Sequence, residues 1–222
     1  MRQLSWHTSW QSTMLVDQVL LPNHFSINIE FEAGDRNELE QLVAFDRVKY
    51  YINDILEGSL FANIDNPLIA KLEKSFNVYV ITLPAEPMDH IIASVVFSKI
   101  ISIVEGRLDI HSVTFSSRLG EEVSNYIDIE SLASMDYMIN NKVKATTGTL
   151  AWWHRPDAGS SDIITAGKDK VSVVIDKQEW SKFDLGWESA KIQIGNNAAP
   201  VIKLPVKNWK PKIIPGGKEE DA

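Results

Sequence analysis

Residues 24–32, His24-Phe25-Ser26-Ile27-Asn28-Ile29-Glu30-Phe31-Glu32, alternate polar and apolar side chains without a break. That period belongs to a strand with one face on a core and the other on water or a partner. Phe25, Ile27, Ile29 and Phe31 form its apolar face. A shorter strand over Leu4 to Trp10 precedes it, with 11–21 as a loop or hairpin arm, and Gly34-Asp35-Arg36-Asn37 reads as a turn. Leu39, Leu42, Val43, Val48, Tyr51, Ile52, Ile55 and Leu56 then recur at helical spacing. They predict an amphipathic helix over 37–57, closed by Gly58. Asn66-Pro67 opens a second, shorter helix over 67–75, with Pro67 in the first turn. Val78 to Leu83 reads as a strand stopped by Pro84. A third helix over 88–105 carries Ile91/Ile92, Val95/Val96, Ile100 and Ile103/Val104, a stripe broad enough to lie across a sheet. Ile110 to Ser116 and Val123 to Ile129 alternate around Gly120, as a hairpin would. The order predicts an α+β fold, a mainly antiparallel sheet with helices on one face.

From about residue 140 the helical periodicity stops, and β-branched runs alternate with turn residues. Five of the seven tryptophans fall here: Trp152, Trp153, Trp180, Trp187 and Trp209. Strands are predicted over Val171–Ile175, Ala190–Ile194 and Pro200–Leu204. The chain therefore divides into an α+β unit over 1–142, a β-rich extension over 143–214 and a disordered acidic tail over 215–222.

Charge sharpens that division. The chain of 222 residues has a formal charge of −8. Residues 1–142 hold 10 Lys/Arg against 20 Asp/Glu, a net of −10, and residues 143–222 hold 12 against 10, a net of +2. An acidic body argues against nucleic acid or an anionic membrane as its partner. The chain contains no cysteine, which excludes a disulfide scaffold, thiolate metal sites and a cysteine nucleophile. The first residues lack the apolar run of a signal peptide, and no stretch reaches the about 18 apolar residues of a spanning helix. A cytoplasmic protein without membrane attachment is expected.

Several strings occur in an order that resembles the 6-pyruvoyl-tetrahydropterin synthase / 6-carboxy-tetrahydropterin synthase family, the tunnelling fold. Asn23-His24-Phe25-Ser26-Ile27 opens a long second strand where the family has His-Gly-His-Asn-Tyr. Phe45-Asp46-Arg47-Val48-Lys49 is similar to its Asp-Phe-x-x-Leu-Lys. Leu56-Glu57-Gly58-Ser59-Leu60-Phe61-Ala62-Asn63 stands for Leu-Asp-His-x-x-Leu-Asn, and Pro87-Met88-Asp89-His90-Ile91-Ile92-Ala93 for Pro-Thr-x-Glu-Asn-x-Ala. The resemblance covers about residues 1–130. It implies subunits that close open sheet edges by forming trimers or stacked rings, a purine- or pterin-like ligand, and a zinc-dependent lyase. The lyase residues are replaced, however. His7 matches the first zinc ligand, but Leu21-Pro22-Asn23 occupies the place of the His-x-His pair. Gly58 replaces the assisting histidine, and the ring-anchoring glutamate falls at Ser117. Zinc is the family expectation, yet no cofactor is expected here.

The remaining chemistry-bearing residues each have two readings. His7, His24 and His90 would have to converge to rebuild a metal site; otherwise, with His111 and His154, they are scattered surface or hydrogen-bonded histidines. Glu86 and Asp89 flank Pro87 as helix-start acids or as ligand-binding carboxylates. Glu121-Glu122 at the hairpin tip are turn charge or a displaced anchor. Asp46 and Lys49 read as a helix-surface pair. Trp152-Trp153-His154-Arg155-Pro156 on a strand would send one tryptophan to the core and the other to an interface, with plain core packing of both as the other reading, and Trp209 is a further interface residue. Lys203, Lys207, Lys210 and Lys212 surround Trp209, the basic–aromatic texture of single-strand nucleic-acid binding and equally of a solvated arm. The first expectation is a non-catalytic, homo-oligomeric tunnelling-fold protein with a structural or binding role. The alternatives are a pterin or 7-deazaguanine-precursor enzyme with a relocated site, and a nucleic-acid-associated protein using its C-terminal arm.

Overall fold

A long two-stranded ribbon forms the middle of the main sheet. β1 (Arg2–Val16) and β2 (Val19–Ala33) pair antiparallel over their whole length. The computed structural model describes residues 2–33, 37–69, 71–72, 78–133, 150–166, 171–175 and 177–187. The span 11–21, expected as a loop or hairpin arm, is the end of a hairpin, strand on both sides of a tight turn. Asp17 and Gln18 take that turn at φ 57° and 139°, while Thr13–Leu15 are held in line by a second partner strand.

Further elements extend this ribbon. α1 (Glu38–Tyr50) starts on the Asn37 side chain, which accepts the Leu39 N–H at 3.0 Å, and it continues into a π-helical turn over Tyr51–Leu56. The wider turn brings Tyr51, Ile52, Ile55 and Leu56 all onto the core. Gly58, at φ +69°, then ends the helical run. β3 (Leu60–Asn63) and β4 (Val80–Leu83) follow, then α2 (Asp89–Val104), β5 (Asp109–Ser117) and β6 (Asn125–Asp128). Within the predicted second helix, residues 69, 71 and 72 are helical and its remaining residues lie mostly outside the described set.

The sheet order is β4-β3-β1-β2-β5-β6. It is mainly antiparallel, as expected, with a parallel part at one end: β3 runs parallel to β1, and β4 parallel to β3. The chain leaves β3 by a crossover through residues 64–79, and a crossover returns the chain in the same direction. The β1-β2-β5-β6 portion is antiparallel throughout. Fold class is α+β, as the element order predicts.

The helices cover one face of the sheet. Trp10, Phe25, Phe61 and Phe115 form an aromatic cluster there, with ring centroids 5.5–6.0 Å apart, and α2 buries Ile92, Val95, Val96, Phe97, Ile100 and Ile103 against it. Such a core, close-packed and apolar, supplies the main stabilising term.

The described residues between 150 and 187 add to the same body, and residues 1–190 make one compact unit. The boundary expected at 142/143 falls outside the described residues. Trp152 and Trp153 occupy a 3-10 turn over Trp152–His154, not a strand. They are 0% and 1% exposed, so both belong to the chain's own core and neither is a surface anchor. Trp152 Nε1 donates to the Thr82 carbonyl of β4 at 2.7 Å. Lys99, wholly buried on α2, donates to the carbonyls of Trp152 (3.0 Å) and Arg155 (2.9 Å) and pairs with Asp157 at 3.8 Å. A separate two-stranded sheet joins β7 (Asp162–Ala166) to β8 (Val171–Ile175). Only the second of these was expected. The strands predicted at 190–194 and 200–204, the 215–222 tail, Trp209 and its lysines lie outside the described residues.

Candidate binding cleft

The sheet face away from the helices is polar, and strand register arranges it in transverse rows. Paired residues point to the same side. Ser5, Glu30, Ser112 and Asp128 make one row, and His7, Asn28, Thr114 and Tyr126 the next. Ser9, Ser26 and Ser116 form a row of three hydroxyls, beyond which Gln11 faces His24. The Arg118 N–H donates to the His24 carbonyl at 2.9 Å and carries the pairing one residue further. Cross-strand bonds tie the middle of the face: Ser5 Oγ to Asn28 Oδ1 at 2.7 Å, and Ser112 Oγ to Glu30 Oε2 at 2.8 Å.

At the Gln11–His24–Arg118 end the face opens into a cleft of about 600 Å³. Pro22, Asn23, Ser26, Ser116, Ser117 and Glu122 complete its lining. One wall is a turn fixed from several directions. Asn23, buried on β2, accepts the N–H groups of His24 (2.9 Å) and Leu119 (3.0 Å) through Oδ1. Ser117 Oγ accepts the Gly120 N–H at 3.0 Å and donates to the Asp89 carboxylate at 2.8 Å. A Cβ at Gly120 would land on Asp89 Oδ2, so a larger residue there would have to displace that carboxylate. Glu121 and Glu122 complete the turn in left-handed conformations at φ 55° and 60°.

The sequence-derived site residues therefore separate into groups. His24 and Ser117 line the cleft. Asp89 stands behind Ser117 and holds the wall, serving both the helix start and the turn. Glu121 lies in the turn, and its neighbour Glu122 is the one that faces the cleft. Glu86 bonds instead to Asn63 Nδ2 at 3.1 Å. His90 is exposed on the first turn of α2.

His7 sits four positions from His24 along the ribbon, roughly 13 Å at strand spacing, and its Nε2 approaches Ser26 Oγ at 3.4 Å. His7, His24 and His90 do not converge, and among the described residues no three His, Asp or Glu side chains form a metal-holding group. At the place of the family's second and third ligands stand an aliphatic Leu21, a Pro22 and an Asn23 whose oxygen is already engaged. The residues present do not fit a three-histidine zinc.

Gln11, Ser26, Ser116 and Arg118 are the lining residues that reading the sequence missed as a site, whereas Glu122 belongs to the Glu121-Glu122 pair weighed as a displaced anchor. The one signal of the missed four is period 2: they continue the polar alternates of the strands whose apolar alternates marked the core.

A second cavity, of about 490 Å³, lies between α1, the end of α2 and residues 177–187. Its charges serve the fold. Arg47 donates to the Leu185 carbonyl at 2.8 Å and to Glu105 Oε1 at 3.0 Å, with its guanidinium 3.4 Å from the Trp187 ring centroid. Arg107 lies 4.0 Å from the centroid of that same ring. Burial lowers the Arg47 pKa from its ordinary value, with Glu105 opposing the shift. Asp162, 2% exposed, has its pKa raised chiefly by burial, although Arg155 at 2.7 Å pulls the other way.

Comparison with known proteins adds little to this geometry. No family model matches the chain. No curated protein matches it by sequence. Among solved structures it is similar to an uncharacterized protein, WS1659, from Wolinella succinogenes, with a TM-score of 0.44 at 13% identity over 58% of this chain and 98% of that one. Among the described residues no helix is long and apolar enough to cross a membrane.

Proposed function

We propose that this protein is a non-catalytic, divergent tunnelling-fold subunit that assembles into a ring and offers its polar cleft as a binding site. The observation that carries the assembly is the pair of open edges on the antiparallel part of the sheet. Among the described strands, β1 from Arg2 to Trp10 is paired only with β2, because β3 takes only Thr13–Leu15 and Gln11 is engaged by Glu57 and Gly58. The opposite edge is β6, four residues long, flanked by exposed Val123 and Ile129 and bearing Tyr126 at 61% exposure. Long unpaired edges invite pairing with another chain, and a copy of the same chain offers both kinds of edge. The polar face between them would then line the inside of a ring. The lack of catalysis rests on sequence: the resemblance puts Leu21, Pro22, Gly58 and Ser117 where the family's lyase residues belong, and the chain has no cysteine.

Light scattering coupled to size exclusion at micromolar concentration tests the assembly, with a trimer or a multiple of it expected. A monomer at every concentration overturns it. Stoichiometric zinc together with turnover of dihydroneopterin triphosphate would replace the non-catalytic reading by an enzymatic one.

A further inference from the structure

Four long polar side chains at the open end of the sheet have no task inside the fold. Gln11, His24 and Arg118 make one transverse row, and Glu122 faces them from the turn. No hydrogen bond or ion pair engages any of these four side chains among the described residues. Arg118 and Glu122 are the informative pair. They carry opposite charge, lie four residues apart around one turn and line the same cleft, yet they do not pair.

We propose that the cleft binds a small zwitterion of amino-acid type, with its carboxylate on Arg118 and its ammonium group on Glu122. The planar guanidinium matches a carboxylate through two parallel N–H···O bonds. The His24 ring and the Gln11 amide extend that donor set, and the Ser26 and Ser116 hydroxyls form a floor of small polar groups. A bare anion would meet Glu122, and a bare cation would meet Arg118. A ligand carrying both charges satisfies both groups. The volume of about 600 Å³ suits a small molecule.

One further feature supports the assignment: the wall bearing Arg118 and Glu122 is held in place before any ligand arrives, by Asn23, Ser117, Asp89 and Gly120. Preorganisation of this kind lowers the ordering cost of binding.

The inference rests on the cleft being the binding site proposed above, but not on the ring. Calorimetric titration of the full chain with glycine, γ-aminobutyrate, acetate and methylamine tests it, with amide NMR shifts of residues 117–123 as the site readout. At least one of the two amino acids is expected to bind ten times or more tightly than acetate or methylamine. Arg118→Gln should lower that affinity at least tenfold, and Arg118→Lys should restore part of it. Glu122→Gln should remove the advantage of the amino acid, so that it and acetate bind equally, with acetate binding at least as well as it does to the native protein. Binding of acetate as tight as that of either amino acid, silence of all four probes, or indifference to both Gln substitutions overturns the proposal. A ring that binds no probe refutes the ligand alone, whereas a monomer that binds a zwitterion refutes the assembly alone.

Discussion

Two groups of charged and polar side chains, of similar make-up, have opposite fates in this molecule. Around α2, Lys99, Arg155, Asp157 and Asp162 are drawn inside, and each is engaged: Lys99 with two carbonyls and Asp157, Arg155 with Asp157 (3.4 Å) and Asp162 (2.7 Å), and Asp162 also with the Trp152 N–H (2.9 Å). At the end of the sheet, Gln11, His24, Arg118 and Glu122 stand in an open cleft and engage nothing among the described residues. Charge taken out of water has to be paired or it destabilises the fold. Charge left at a solvated cleft is under no such demand, and its arrangement is available for a ligand. The first group holds residues 150–162 onto β4 and α2, and the second is what the fold leaves over for binding.

The largest effect expected from disturbing this contrast comes from Lys99. Lys99→Met keeps the stem of the side chain but leaves the Trp152 and Arg155 carbonyls and the Asp157 carboxylate with a lost partner. Removing one member of a buried charged set costs about 3–5 kcal/mol. Urea denaturation should show a loss of that size, with the tryptophan emission of Trp152 and Trp153 reporting the change. A loss below about 1 kcal/mol, the scale of an exposed pair, would mean that the buried group is not what holds this segment.

Gly120→Ala comes next, because it attacks the engaged part of the cleft wall. The new methyl group displaces the Asp89 carboxylate and with it the bond from Ser117. Overpacking at a fixed contact costs about 1–3 kcal/mol. Asp89→Ala removes the obstructing carboxylate, so the double variant should lose less than the sum of the two single losses. Strict additivity would place the two residues out of contact.

The pH dependence of Asp162 is smaller, and its sign is fixed. Burial raises its pKa in the folded protein, so between the ordinary carboxylate pKa and the raised one the folded state holds more protons than the unfolded state. Its contribution to stability is best below the ordinary value and is lost as pH rises through the raised one. The stability difference between the native protein and Asp162→Asn, followed by urea titration from acid to neutral pH, should therefore move against the native protein as pH increases. The opposite slope would mean that Arg155 outweighs burial.

These cases also show where the sequence was legible. The alternation over 24–32 and the helical spacing over 88–105 are properties of residues near each other in the chain, and they appear as β2 and α2. β3 and β4 are too short and too completely buried to alternate, so nothing local marks them as parallel neighbours. Lys99 had a readable signal, since it sits among Val95, Val96, Ile100 and Ile103 on the apolar stripe, but its acceptors come from residues 53 and 56 positions away. In the cleft, His24 and Ser117 were found through their places in motifs. Gln11, Ser116 and Arg118 were not, because what assembles them is register between three strands.

The smallest effect expected is also the sharpest check on the comparison. Arg118→Gln and Glu122→Gln remove charges as formal as those of Lys99 and Asp157, yet neither charge has a partner to lose. Each should change stability by less than about 0.5 kcal/mol, and the double variant should equal the sum of the singles, with a coupling near zero. A coupling of about 1 kcal/mol or more would show that the two side chains pair across the cleft in solution, and the cleft would then be closed by its own residues. Additive, near-neutral substitutions that nevertheless abolish zwitterion binding would separate the two kinds of charge completely: one set measured only in stability, the other only in affinity.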